Sequence, residues 1–112
     1  KKGGRAVGPF GVMGGFKQPQ GHLQVVMNSV DFGMNPQQAL DAPRWQWIKG
    51  LEAELECSFG GDILRSLERR GHQVRFQGDQ GNFGRGQISW KHAGGGFMGG
   101  TESRADGSIA TW

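Results

Sequence analysis

The sequence of 112 residues predicts an α+β fold arranged around one layered core. Helical and strand periodicities both occur, in the order strand, two helices, strand, helix, and then strands that end in a hairpin. The 22 glycines have no collagen-like period and fall between these segments, where they mark turns. A net charge of only +3 argues against an intrinsically disordered chain, which needs strong self-repulsion as well as low hydrophobicity.

The first two elements are a predicted buried strand from Arg5 to Met13 and a helix that begins at Pro19 and ends at Gly33. Between them lies the pair Gly14-Gly15. The apolar residues of the helix follow the i, i+3, i+4, i+7 spacing, which places them on one face. They are Leu23, Val26, Met27 and Val30.

The second predicted helix is short and has clear end signals. Asn35 is in the N-cap position and Gln38 is at N3, where the two side chains can form a capping box. Pro43 ends the helix because a proline disfavours the α conformation of the residue before it. Ala39 and Leu40 are predicted to face the core.

An extended segment at Trp45 and Trp47 is followed by residues that alternate in polarity, which is typical of a strand with one solvated face. The apolar positions are Leu51, Ala53, Leu55 and Cys57, and the polar ones are Glu52, Glu54 and Glu56. This pattern predicts that the glutamates face water and that Cys57 is buried in a packing role.

The second half of the chain alternates between predicted elements and glycine turns. A helix from Asp62 to Arg70 would bury Ile63, Leu64 and Leu67. The remaining elements are a strand at Gln73 to Phe76, a glycine-rich loop at Gly78 to Gly86, and a hairpin formed by Gln87 to Lys91 and Gly96 to Met98.

Several classes of function are not indicated. The longest apolar run is shorter than 18 residues, so no membrane span is predicted, and one cysteine cannot form an internal disulfide. The histidines lack metal-ligand spacing, and no cofactor motif occurs, so we expect neither a metal nor a cofactor. The basic and acidic residues are interspersed, and the single Arg-Gly step in the loop is not a repeat. We therefore expect no nucleic-acid partner.

Arg44 and Arg104 are predicted to be structural, since a guanidinium can tie a loop or helix end through its rigid set of donors. The candidate partners for these two arginines are Asp31, Asp41 and Asp106.

The junction from Gly11 to His22 is the most informative segment for chemistry. Adjacent glycines let backbone N–H groups approach a ligand closely, and the start of a helix adds partial positive charge. An oxyanion needs this kind of environment. The alternative is a tight turn packed under the helix, and spacing alone leaves both open.

The stretch GVMGGFKQPQGHLQVVMNSVDFGMNPQQALDAPRW, from Gly11 to Trp45, closely resembles gamma-glutamyltransferases, the glutathione-hydrolase family of the N-terminal-nucleophile superfamily. The resemblance continues through LERRGHQVRF, FGRGQ and GGTESRADG and covers nearly the whole chain. It implies part of a four-layer αββα sandwich. It also implies that residues 1–112 are a single partial domain at the C-terminal end of the small subunit.

The same resemblance implies an activity. Family members are precursors that cleave themselves, and the new N-terminal threonine attacks a gamma-glutamyl amide and forms an acyl-enzyme that water or an amine then consumes. By position, Gly14 and Gly15 would be the oxyanion-hole donors, and Met13 a substrate-binding residue. The implied partners are a small gamma-glutamyl substrate and the remainder of the precursor: the large subunit and the N-terminal part of the small subunit. The nucleophile lies upstream in the family, so we expect this chain alone to be inactive.

The chain also departs from the best-known branch of the family. That branch has Ser-Pro before the glycine pair and Ser-Arg after it, where this chain has Val12-Met13 and Phe16-Lys17. Near the end, Asp-Pro-Arg is replaced by Glu102-Ser103-Arg104. A cephalosporin- or glutaryl-acylase preference therefore stays open, as does a non-catalytic member with a binding or assembly role.

Overall fold

A computed structural model describes residues 3–112, which form two three-stranded sheets and three α-helices. The strands are β1 (Phe10–Met13), β2 (Trp45–Lys49), β3 (Glu52–Glu56), β4 (Gln73–Gln77), β5 (Arg85–Lys91) and β6 (Phe97–Thr101). The helices are α1 (Gln18–Val30), α2 (Pro36–Asp41) and α3 (Gly61–Arg69). This mixture of elements confirms the predicted α+β class and the predicted element order.

The first sheet has the order β1-β5-β6 and is antiparallel throughout. Phe10 pairs with Ile88, and Trp90 pairs with Met98 across the predicted hairpin, which is confirmed. The second sheet has the order β2-β3-β4. In it β2 and β3 are antiparallel, whereas β3 and β4 are parallel and α3 is the crossover between them, as parallel pairing requires.

The hydrophobic core lies between the first sheet and the helices α1 and α2. Its buried members come from β1, both helices and β5. They are Val12, Val25, Ala39, Leu40 and Ile88. Helix α3 packs instead on β4 of the second sheet.

Helix α2 has the end signals that the sequence predicts. The Asn35 side chain accepts a hydrogen bond from the Gln38 N–H at 2.9 Å, and the Gln38 side chain accepts one from the Asn35 N–H at 3.1 Å. Ala39 and Leu40 are both fully buried. The capping box therefore sets the start of the helix and directs its apolar side onto the sheet.

The predicted strand from Arg5 to Met13 is shorter than expected, because β1 begins only at Phe10. The chain before it still follows β5, since Val7 and Pro9 accept hydrogen bonds from the Lys91 and Ser89 N–H groups. Pro9 has no N–H to return a hydrogen bond to β5, and at Gly8 a Cβ would lie 2.0 Å from the Ser89 carbonyl oxygen, so only glycine fits there.

The predicted apolar face of α1 exists but points away from the described core. Its four members are exposed, between 37% for Met27 and 74% for Val30. The side that packs on the fold contains Gly21, Gln24 and Val25 instead. Gly21 comes so close to β1 that a Cβ would lie 2.8 Å from the Val12 Cγ1 atom, and Gln24 is held by polar contacts. Hence backbone approach and hydrogen bonding, not the apolar stripe, set the orientation of α1.

The prediction of a solvated glutamate face on β3 is wrong. Glu54 and Glu56 are only 4% and 1% exposed, because Arg75 and Arg104 bind their carboxylates. The predicted burial of Cys57 is also wrong. This residue starts a short 3₁₀ turn after the strand and is exposed.

Helix α3 occupies the predicted region but buries less than predicted. No side chain within Gly61–Arg69 is fully buried: Ile63 is 45% exposed, and Leu64 and Leu67 are half-buried against β4. Asp62 lies in the first turn and pairs with Arg65, whereas Gly60 is the N-cap residue. Only one sheet covers this amphipathic helix.

Candidate active site

The two adjacent glycines form the turn between β1 and α1. A 3₁₀ turn at Gly15–Lys17 follows the strand and leads directly into the helix. Gly15 has φ of +55°, which favours glycine, and a Cβ there would have no neighbour within 4 Å. Gly14 packs closely, since its Cβ would lie 3.2 Å from Gly84 Cα. One side of the turn is therefore fixed to the fold and the other is open.

The carbonyl groups of the two glycines form hydrogen bonds within the fold, whereas their N–H groups do not. The Gly14 carbonyl accepts a hydrogen bond from the Lys17 N–H at 3.0 Å, and the Gly15 carbonyl accepts one from the Gln18 N–H. Among the hydrogen bonds within residues 3–112, none is donated by the Gly14 or Gly15 N–H. Both glycines are exposed, so two residues with unbonded backbone donors lie at the surface just after β1.

Side chains on either side of the glycine pair are exposed. Met13 is 60% exposed and Phe16 is fully exposed. An open cleft of about 550 Å³ lies beside the turn and is lined by Met13, His22, Arg85 and Gln87, among others. Gly14 and Gly15 are not among the residues that line it. His22 is oriented by backbone contacts: its Nε2 accepts from the Val12 N–H at 3.4 Å, and its Nδ1 lies 2.6 Å from the Gln18 carbonyl oxygen.

Lys17 is the last residue of the turn, and its side chain points inward. It is only 5% exposed, donates a hydrogen bond to the Trp45 carbonyl at 2.8 Å, and lies 4.3 Å from the centre of the Phe83 ring. Burial, with the nearby positive charge of Arg44, lowers the pKa of Lys17 from 10.5 to about 7. No sequence pattern singles out this residue, because its burial depends on contacts with distant residues.

Behind the turn lies a buried ionic cluster, which consists of Arg44, Glu56, Glu102 and Arg104. Arg44 donates to Glu102 at 2.7 Å, and Arg104 donates to Glu102 and to Glu56, each at 2.6 Å. All four side chains are at most 4% exposed. The cluster joins the loop after α2, strand β3 and the segment after β6.

The structural role predicted for Arg44 and Arg104 is confirmed, but the predicted partners Asp31, Asp41 and Asp106 are wrong. The acids that bind them are Glu56 and Glu102. Glu56 was not predicted as a partner, because the alternation of polar and apolar residues placed it on the solvent-exposed face of the strand. Glu102-Ser103-Arg104 is the segment in which the chain differs from the best-known branch of the family. Its Glu102 and Arg104 bind each other and the other members of the ionic cluster.

The cluster is connected to the glycine turn. Arg44 donates to the carbonyl oxygens of Phe83 and Gly84 at 3.1 and 2.9 Å. Gly84 in turn packs against Gly14, and the Phe83 ring packs against the Lys17 ammonium. The Phe83-Gly84 segment, which Arg44 holds in place, therefore packs against the turn. A preorganised site requires support of this kind.

Hydroxyl and metal-ligating groups are the other candidates among the described residues. Thr101, which the sequence does not predict to be catalytic, lies in β6, where its hydroxyl accepts from Gln87 at 2.9 Å. No group of three or more metal-ligating side chains is found in residues 3–112. Within the same range, no helix has the length and hydrophobicity to cross a membrane.

Comparison with solved structures defines the class of protein. A cephalosporin acylase from Bacillus halodurans matches with a TM-score of 0.95 and 56% identity over 100% of this chain and 21% of its own. A variant of gamma-glutamyltranspeptidase from Pseudomonas nitroreducens matches with a TM-score of 0.85 and 20% identity, over 100% of this chain and 58% of its own. The chain thus has part of the fold of N-terminal-nucleophile hydrolases, which confirms the fold prediction.

Sequence comparison identifies the family. The family profile for gamma-glutamyltranspeptidase matches residues 1–112. The glutathione hydrolase-like YwrD proenzyme of Bacillus subtilis is 34% identical over 113 residues, which span 96% of this chain and 22% of that protein. The chain therefore belongs to the gamma-glutamyltranspeptidase family and spans about a fifth of the length of this relative.

Proposed function

We propose that residues 1–112 are the C-terminal part of the small subunit of a gamma-glutamyltransferase-like enzyme. In this proposal the remainder of the precursor supplies the nucleophilic threonine, and this chain supplies the oxyanion donors and part of the core. The support is family membership together with the small share of its relatives that the chain covers.

The proposed reaction is acyl transfer from a gamma-glutamyl amide such as glutathione. The threonine hydroxyl adds to the gamma-carbonyl carbon while its own α-amino group takes the proton. The carbonyl oxygen becomes an oxyanion, which the Gly14 and Gly15 N–H groups bind. The C–N bond then breaks, the protonated amine leaves, and water or an acceptor amine attacks the resulting ester.

One observation carries the assignment of these donors. The two glycines are exposed and their N–H groups donate no hydrogen bond within residues 3–112, on a turn that packs against Gly84. Preorganised backbone donors that are not used by the fold are what a developing oxyanion requires.

The test compares two glycine variants in the full-length protein encoded by the gene for this chain. Gly15 and Gly33 have nearly equal φ values, +55° and +65°, and a Cβ at either has no neighbour within 4 Å. Alanine thus brings similar backbone strain at both positions, but only Gly15→Ala disturbs the proposed donors. We expect Gly15→Ala to lower kcat/KM for gamma-glutamyl-4-nitroanilide about 100-fold or more, and Gly33→Ala to leave it unchanged.

Equal activity of the Gly15→Ala and Gly33→Ala enzymes would refute the oxyanion assignment. The 112-residue chain alone is expected to hydrolyse no glutathione, because the proposed nucleophile lies outside it. Measurable hydrolysis by the purified chain would contradict this part of the proposal.

The alternative is that the substrates are those of the acylases. The similarity to the Bacillus halodurans cephalosporin acylase supports this alternative. A glutaryl group is a gamma-glutamyl group without the α-amino substituent. Comparing kcat/KM for gamma-glutamyl- and glutaryl-4-nitroanilide therefore separates the two. We expect the gamma-glutamyl compound to be preferred, and a preference for the glutaryl compound would assign the enzyme to the acylases.

Met13 is the proposed substrate-binding residue. Its exposed apolar side chain lies one residue before the donors and lines the open cleft. Such a side chain would contact the bound substrate equally before and during reaction. We expect Met13→Ala to raise KM several-fold with kcat little changed.

A further inference from the structure

The side chain of Lys17 is the exception in an otherwise exposed turn. The four residues before it, Met13 to Phe16, are all exposed, whereas the Lys17 side chain is buried. Lysine is almost never fully buried without a partner, because its ammonium loses hydration. Its partners here connect the turn to two separate parts of the fold.

The contacts of Lys17 hold the turn at three points. Its Nζ donates to the Trp45 carbonyl of β2, and the ammonium lies over the Phe83 ring just before β5. Its backbone N–H closes the turn on the Gly14 carbonyl. One residue therefore joins the second sheet, the loop before β5 and the peptide group next to the proposed oxyanion donors.

The ammonium is not required to satisfy the groups around it. The Trp45 carbonyl also accepts a hydrogen bond from the Gln24 side chain at 2.9 Å, so it would keep a partner without Lys17. An apolar side chain of the same length could fill the same space without losing hydration. The buried ammonium thus costs stability and contributes directional contacts, which define one geometry of the turn.

We propose that Lys17 is a positioning residue that holds the Gly14 and Gly15 N–H groups in the geometry that binds the oxyanion. This inference rests on the proposed function of the two glycines. Lys17 would not touch the substrate, because its side chain is buried under the turn, whereas Gly14 and Gly15 are exposed. It acts through the backbone, because its contacts with Trp45 and Phe83 keep the end of the turn in place.

The test uses Lys17→Met and Lys17→Arg in the full-length protein, with Lys49→Met as the matched control. Methionine keeps the apolar stem and removes the cation, whereas arginine keeps a charged donor. The Lys49 side chain is 74% exposed and forms only a 3.5 Å pair with Glu52. Activity is normalised to the amount of processed small subunit, so that a variant that matures poorly is still measured.

We expect Lys17→Met to lower kcat about 10- to 100-fold with KM changed less than about threefold, since small displacements of catalytic groups have effects of this size. The melting temperature should stay the same or rise, because a buried charge is removed. Lys17→Arg should recover most of kcat, and Lys49→Met should equal the wild type. A lysine with a purely structural role would instead lower the melting temperature and the yield of active enzyme together.

A wild-type kcat for Lys17→Met would overturn the inference, as would equal losses of kcat in Lys17→Met and Lys17→Arg. The Gly15→Ala enzyme distinguishes failure of the proposed oxyanion donors from failure of the proposed role of Lys17. If Gly15→Ala loses activity and Lys17→Met does not, only the role of Lys17 is wrong. If Gly15→Ala keeps full activity, the oxyanion assignment and the role of Lys17 both fail.

Discussion

Glu56 shows how a single residue can depend on distant partners. Its carboxylate accepts hydrogen bonds from the Arg104 side chain and, at 2.8 Å, from the Arg44 N–H. It is 1% exposed, so these donors replace the water that the carboxylate loses on burial. Removing one partner of such a pair leaves the other charge buried without compensation. The stability lost in this way exceeds the net stability that the intact pair contributes.

Glu56→Ala is therefore expected to lower the free energy of unfolding by about 3–5 kcal/mol. The control on the same strand is Glu52→Ala, whose carboxylate is 42% exposed and pairs with Lys49 at 3.5 Å. Exposed pairs contribute about 0–1 kcal/mol, so the control should change little. Urea unfolding measures both, and equal effects would show that the buried cluster does not stabilise the chain as argued.

Lys17 should make stability depend on pH. Its pKa is about 7 in the folded chain and 10.5 when exposed, so the unfolded state binds more protons between these values. The free energy of unfolding should consequently rise from about pH 7 towards pH 10 relative to Lys17→Met. The measurement is urea unfolding of both proteins at pH 6 and 9. An equal change in both proteins would contradict the low pKa.

At the scale of elements, α2 illustrates structure set by local sequence. Its six residues are too few to form a stable helix alone, and both its capping box and its buried apolar side are needed. It lies on β5 and β6, and Gln37 extends the contact by donating to the Thr101 carbonyl at 2.9 Å and accepting from the Thr101 N–H at 3.0 Å.

Asn35→Ala should lower the free energy of unfolding by about 1 kcal/mol, because the Gln38 N–H loses its acceptor. Asn35→Ser retains a capping oxygen and should cost less. Chemical unfolding of the three proteins side by side measures the difference. If the serine and alanine variants are equally destabilised, the cap contributes nothing here.

At the scale of the whole molecule, the chain is extended for its length. Its radius of gyration is 15.4 Å, whereas a compact chain of this size would have about 13 Å. The uncovered apolar face of α1, formed by Leu23, Val26, Met27 and Val30, is a large exposed hydrophobic surface. Both features agree with the proposal that the rest of a longer protein covers this side.

The 112-residue chain is accordingly expected to bind an apolar fluorescent dye in its folded state. Val26→Gln combined with Val30→Gln should reduce the dye fluorescence markedly, because both side chains belong to the exposed face. Arg70→Gln, at an exposed polar position, should leave it unchanged. A monomeric chain that unfolds sharply and binds no dye would contradict this expectation.

The sequence predicted most elements but not how they face one another. The capping box of α2 and the hairpin of β5 and β6 depend on residues close in the chain, so pattern alone was sufficient. The burial of Glu54 and Glu56 depends on Arg75 and Arg104, which are 21 and 48 positions away. Periodicity contains no information on such pairs, and the same holds for Lys17 and Phe83.

Local sequence was sufficient for the α+β class and the two-glycine junction, because helix ends, strand ends and glycine turns arise from local conformational preferences. The family followed from the resemblance of long stretches of the sequence to known members. Which side chains are buried depends on contacts between distant parts of the chain: charged groups are buried where opposite charges meet them, and apolar ones are exposed where no described element packs on them. The Gly14-Gly15 turn depends on both kinds of information. Local sequence forms the turn, and contacts with the distant Gly84 loop fix its position.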